Sequence, residues 1–185
     1  MINTEPQVGD AELDRREILE KFIREGLTLI KEGSYKEAIT HFENREMADT
    51  LGFHYEVSPL EAVVRKPITQ IEEIKGVVDF CAVNSYFDFG FKAQGTKPQI
   101  ALSSMYFPEQ ILGSIKPEIM TRLLHNVALI HAEEWIHSLQ KEKGPLAGSV
   151  DGDIDVALFL FNHGVPQTDE FLARNGRAEV INGLK

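Results

Sequence analysis

The sequence predicts an α+β fold, in which a helical hairpin packs on a small domain with a short antiparallel sheet and a long central helix. Two observations lead to this prediction. Apolar residues recur at helical spacing near both ends of the chain, whereas short runs with strand-like alternation lie between them. Helices and strands segregated in this order favour an α+β fold over alternating βα units.

The N-terminal helical hairpin is predicted over residues 11–52. The helical period runs from Ala11 to about Lys31, and a second helix follows Gly33 and ends at about Thr50. We expect residues 1–10, which are polar, to be disordered.

Small and aromatic residues of the hairpin resemble one tetratricopeptide unit, in which small residues allow close helix crossing. The sequence contains no second copy of the unit. Because repeat units need neighbours to bury their faces, we expect the hairpin to pack on the rest of the chain. The residues that carry the resemblance are Gly26, Leu29, Gly33, Tyr35, Ala38 and Phe42.

Residues 53–185 form the predicted α+β domain. Pro117 is expected near the start of a long helix that reaches about Lys143, before the helix-breaking pair at 144–145. The final segments predict a helix over about 153–162 and a short last helix. Strands are predicted at 53–57, 62–65, 86–91 and 100–106, with the last two forming an antiparallel pair, and a helix is predicted from Pro67.

Composition excludes several functional classes. The 185 residues carry a formal net charge of −10, which argues against nucleic-acid binding because phosphate contacts need clustered Lys and Arg. No signal peptide or membrane-spanning segment is visible, so we expect a cytoplasmic protein. The single cysteine, Cys81, lies in an apolar run, which predicts a buried structural thiol.

The candidate site is the heptapeptide His131-Ala-Glu-Glu-Trp-Ile-His137, which places two imidazoles and two carboxylates on one predicted helix. Glu133 and His137 are four residues apart and therefore share a helix face. Their spacing matches the two ligand positions of an H-E-x-x-H zinc helix, and Glu134 falls on the position of its catalytic glutamate. In such a helix the metal lowers the pKa of a bound water, and the glutamate takes its proton.

The run from Glu133 to Gln140 resembles the zinc helix of zincin-like metallopeptidases, of a minimal gluzincin type. This resemblance implies a divalent metal, a third acidic ligand from the following helix, and a substrate-holding edge strand. Asp153 or Asp155 stands where that ligand is expected, and residues 100–104 where the strand is expected.

The match is degenerate, because Glu133 stands where the family pattern has histidine. Two carboxylates and one imidazole favour iron or manganese over zinc. His131 is the alternative ligand, although His131, Glu134 and His137 fan over about 120° of helix and have the poorer geometry.

Two functions from different classes follow. The first is a metal-dependent hydrolase of peptide or amide bonds, with Glu134 as general base. Its ligands would be Glu133, His137 and one of Asp153 or Asp155. The second is a catalytically inactive zincin-like domain that binds a peptide or protein partner. The second function predicts an exposed apolar groove near Tyr35 or Tyr106. The sequence does not indicate an oligomeric state.

Overall fold

The α+β prediction is confirmed by a computed structural model, which describes residues 8–59, 67–88, 97–140 and 150–174. The described residues form helices around a small three-stranded sheet. The helices are α1 (Val8–Lys31), α2 (Tyr35–Phe42), α3 (Arg45–Thr50), α4 (Ile74–Asn84), α5 (Glu109–Leu112), α6 (Pro117–Gln140), α7 (Val150–Asn162) and α8 (Asp169–Arg174), with a 3₁₀ turn at Ile71–Glu73 before α4. The strands are β1 (His54–Pro59), β2 (Tyr86–Asp88) and β3 (Gln99–Ser104).

The N-terminal hairpin consists of α1 and α2, which cross closely at Gly26. A Cβ atom on Gly26 would lie 2.3 Å from the ring of Phe42, so only glycine admits this ring at the crossing. The helix α1 begins at Val8, inside the segment 1–10 that was expected to be disordered, and residues 1–7 lie outside the described residues.

The predicted second helix of the hairpin is divided in two. Its first part ends at Phe42, and the side chain of Asn44 caps α3 by accepting a hydrogen bond from the Met47 amide at 2.9 Å. The break leaves Glu43 at the C-terminal end of α2. An asparagine side chain can bond nearby backbone amides in place of the helical hydrogen bonds, so Asn44 separates the two helices.

The sheet has the strand order β1-β3-β2 and is mixed. The strands β2 and β3 form the predicted antiparallel pair, and β1 joins β3 in parallel. The connection from β1 to β3 includes α4, and a parallel pair needs such a long crossover. The prediction that residues 100–104 form an edge strand is wrong, because β3 pairs on both sides. The predicted strand at 62–65 lies outside the described residues.

The long helix α6 is the centre of the core. Every residue from Asn126 to Leu139 is buried, because the hairpin, α4, the sheet, α7 and α8 all contact this helix. One continuous apolar cluster joins Phe22 and Phe42 of the hairpin to Trp135 and to Phe171 of α8. Residues 141–149, which hold the expected end of this helix, lie outside the described residues. None of the described helices is long and apolar enough to cross a membrane.

Candidate functional site

Four ionisable side chains of α6 are buried inside this core. His131 is 0% exposed, Glu133 1%, Glu134 5% and His137 6%. Buried polar groups are costly unless they find partners, so the partners of these four side chains decide what the helix can do.

Glu133 and His137 lie together, as their spacing predicts, and Glu133 contacts Arg174 of α8. One carboxylate oxygen of Glu133 accepts a short hydrogen bond from the Arg174 guanidinium. Its other oxygen lies 3.7 Å from Nε2 of His137, whose Nδ1 lies 3.0 Å from Oε1 of Gln140. The cation beside Glu133 is therefore a guanidinium.

Glu134 lies towards α4 and the Cys81 thiol. Burial raises the pKa of Cys81 to about 12, and the negative charge of Glu134 contributes a smaller increase. Cys81 is fully buried, as its apolar surroundings in the sequence predicted. Its Sγ–H points to the Ser103 carbonyl oxygen at 3.8 Å. The Cys81 thiol is therefore packed within the core.

The expected third ligand was one of two aspartates of α7, and the structure describes the side chain of only one of them. Asp155 is exposed on α7, and the side chain of Asp153 lies outside the described residues. In the part of the chain that the structure describes, no three His, Cys, Asp or Glu side chains are grouped so that they could hold a metal ion. Among the described residues, the charged group in contact with the Glu133 carboxylate is the Arg174 guanidinium, and the metal site stays a prediction.

His131 faces the opposite side of α6 and belongs to a different cluster. Its Nε2 lies 3.8 Å from Oε1 of Glu43, which is beyond hydrogen-bonding distance. Both ring nitrogens of His131 and Oε1 of Glu43 are buried without a hydrogen-bond partner. Burial lowers the pKa of His131 to about 3, so the imidazole is neutral at physiological pH.

Tyr55 and Ser104 complete this cluster. Burial raises the pKa of Glu43, and a hydrogen bond from the Ser104 side chain opposes the shift. The pKa of Tyr55 is also raised, first by burial and then by the charge of Glu43. The Tyr55 hydroxyl, too, is buried without a hydrogen-bond partner. We name Glu43, Tyr55, Ser104 and His131 the Glu43 cluster.

Glu43 and Ser104 also line a surface groove of about 580 Å³. The sequence predicted a groove near Tyr35 or Tyr106 for a binding protein. Neither tyrosine lines this groove, although their chain neighbours Lys36, Met105 and Phe107 do. Its walls are α2, the segment after β3, α5 and the start of α6. The lining is mostly apolar: Ile39, Met105, Phe107, Leu112, Ile115, Pro117, Met120 and Leu124, together with the polar Lys36, Thr40, Glu43 and Ser104.

Sequence reasoning identified His131 but missed Glu43, Tyr55 and Arg174. One weak signal was available for Glu43, because an acidic residue at the C-terminal end of a helix opposes the helix dipole. No local pattern connects Glu133 to Arg174, or Glu43 to His131, since both contacts depend on tertiary packing.

Three histidines outside these clusters make packing contacts. His41 bonds the Phe22 carbonyl oxygen at 2.8 Å, and His163 bonds that of Phe159 at 2.7 Å. His125 stacks on the ring of Tyr35, with 4.4 Å between ring centroids. These contacts leave the four ionisable residues of α6 and the Glu43 cluster as the candidate functional groups.

Comparison with known proteins finds no match for this chain among family models, curated proteins or solved structures.

Proposed function

We propose that this protein is a binding module that holds an apolar helix of a partner protein in the groove beside α2. The observation that carries the proposal is the apolar lining, to which α5 contributes Leu112. The side chain of Leu112 is 48% exposed. Apolar side chains that form a continuous concave surface mark interaction sites, whereas single exposed ones do not.

A helix is the occupant that suits these walls. An extended peptide gains affinity by adding a strand to an open sheet edge, but the groove is walled mainly by helices and includes only Ser104 of the sheet. The groove instead presents side chains of α2 at i, i+3, i+4 and i+7, namely Lys36, Ile39, Thr40 and Glu43. Side chains at this spacing form one helix face, against which a second helix packs.

The test is a display selection of amphipathic helical peptides of about 15 residues against the protein. Binding of the selected peptides is then measured by fluorescence anisotropy. We expect Leu112→Glu to weaken binding at least about tenfold, because it places a charge on the apolar wall. Val83→Glu is the matched control, since Val83 is 80% exposed and lies outside the groove. Selected peptides that bind the Leu112→Glu variant as tightly as the wild type would contradict the proposal.

Hydrolysis through Glu134 remains a prediction from the zincin resemblance. The contact between Arg174 and Glu133 favours the binding module, because a guanidinium stands where the resemblance places a metal ion. Metal content, measured by mass spectrometry after purification without a metal column, separates the two functions. About one equivalent of zinc, iron or manganese that is lost in both Glu133→Ala and His137→Ala would favour the hydrolase.

A further inference from the structure

The groove has one charge of each sign on the same face of α2. Lys36 and Glu43 are seven residues apart, which is two helical turns or about 10 Å along the axis. Between them, the same face of α2 presents Ile39 and Thr40. A helix that lies along this face therefore contacts the positive charge of Lys36 at one end and the negative charge of Glu43 at the other, with Ile39 between them.

Glu43, the negative charge on this face, is a partly buried carboxylate. The Glu43 side chain lines the groove and is 24% exposed, while its Oε1 is enclosed. Among the described residues, no Lys or Arg forms an ion pair with it, although such pairs occur along α1. A desolvated carboxylate without a cation is costly, and a cation that arrives with a ligand relieves that cost.

The groups behind Glu43 surround the carboxylate without neutralising it. His131 is neutral and lies 3.8 Å from Oε1. The Ser104 hydroxyl hydrogen-bonds the carboxylate, whereas the Tyr55 hydroxyl makes no hydrogen bond. None of these three side chains brings a positive charge. The cluster therefore keeps a charge-assisted hydrogen bond available for a ligand.

We propose that Glu43 selects a lysine of the bound helix, with Ser104 as the positioning residue that hydrogen-bonds the carboxylate. An acidic residue seven positions from that lysine meets Lys36, so the charge pair also fixes the direction of the helix in the groove. This inference rests on the proposed function and adds the chemistry of the partner: an apolar face flanked by one lysine and one acid.

The experiment uses a helical peptide library of about 15 residues, with leucine fixed on one face and both flanking positions randomised. We expect lysine to be enriched at one flank. Replacing that lysine by norleucine, or Glu43 by Gln, should each weaken binding about tenfold, and the two changes together should cost little more than either. Glu37→Gln is the matched control, because Glu37 is exposed on the same helix and does not line the groove.

Ser104→Ala tests positioning without removing the carboxylate, because it deletes the hydroxyl that hydrogen-bonds Glu43. It should reduce the preference for the lysine peptide over the norleucine peptide at least threefold, whereas a purely structural role would weaken both peptides equally. Two results would contradict the selection of lysine by Glu43, provided that Leu112→Glu still abolishes binding. The selected peptides would show no preference for lysine, or Glu43→Gln would leave that preference unchanged. If no selected peptide depends on Leu112, both the inference and the proposed function fall.

Discussion

The indole N–H of Trp135 donates a buried hydrogen bond of 2.9 Å to the carbonyl oxygen of Phe42. Trp135 and His131 are one turn apart on α6, and Phe42 and Glu43 are consecutive at the end of α2. The bond satisfies a carbonyl that the end of a helix leaves open. The same contact therefore fixes the end of α2 and holds Glu43 against His131 at the edge of the groove.

Trp135→Phe should destabilise the protein by about 1–3 kcal/mol, because it leaves the buried Phe42 carbonyl without a donor. The free energy of unfolding is measured by urea titration. Tyr106→Phe is the control, since Tyr106 is 54% exposed and its change should cost less than about 0.5 kcal/mol. Equal stabilities for Trp135→Phe and the wild type would show that this bond does not hold α2.

Two glycine substitutions should change stability in opposite directions. Gly26→Ala should destabilise by about 1–3 kcal/mol, because its Cβ would overlap the Phe42 ring. Gly76→Ala, in α4, meets no atom within 4 Å and should stabilise by about 0.5–1 kcal/mol through helix propensity. Thermal unfolding of both variants measures the difference, and a neutral Gly26→Ala would contradict the close crossing of α1 and α2.

Arg174→Met should destabilise by about 3 kcal/mol, because it leaves the Glu133 carboxylate buried without a cation. Adding Glu133→Gln to this variant should recover part of the loss, since the unpaired charge is then removed. Chemical denaturation measures both. Lys75→Met, which breaks an exposed ion pair to Asp79, is the control and should cost less than about 1 kcal/mol. No recovery in the double variant would indicate that the Arg174 contact is not electrostatic.

Stability should fall on acidification because of His131. Burial lowers the pKa of this imidazole from 6.5 to about 3, so between these values the unfolded chain binds a proton that the folded protein does not. The free energy of unfolding from this group therefore decreases by up to about 1.4 kcal/mol per pH unit as the pH falls below 6.5. His131→Leu should flatten the dependence, which urea midpoints between about pH 7 and about pH 5 measure.

The raised pKa of Glu43 has the opposite effect on folding stability at lower pH. Its pKa is raised from 4.5 by burial, so just above this value the folded protein holds a proton that the unfolded chain has lost. Acidification through that range favours folding through Glu43 and offsets part of the loss from His131. Glu43→Gln should therefore steepen the acid loss of stability. A slope that is unchanged in both variants would contradict the burial of this pair.

The helical period and the strand alternation were sufficient to predict the hairpin, the antiparallel pair and the long helix, because these are local patterns. The break between α2 and α3 was missed, since one asparagine cap decides it. The parallel pairing of β1 was also missed, because β1 pairs with a strand that is distant in sequence, His54 with Gln99, and no local pattern selects such a partner.

The candidate site was only partly predictable, for a related reason. The spacing of Glu133 and His137 correctly indicated that they share a face of α6. It could not indicate that Arg174 would occupy that face, or that His131 would meet Glu43. Sequence spacing determines which side chains of one helix lie together, but not which groups other elements bring to them.

Methyl NMR of the methionines measures directly whether a partner helix binds in the groove beside α2. The chain has four methionines, of which Met105 and Met120 line the groove, whereas Met47 lies on α3 outside it. With methyl-labelled methionine, addition of a selected helical peptide should shift the Met105 and Met120 signals and leave that of Met47 in place. Binding that moves Met47 alone, or neither groove methionine, would contradict the account.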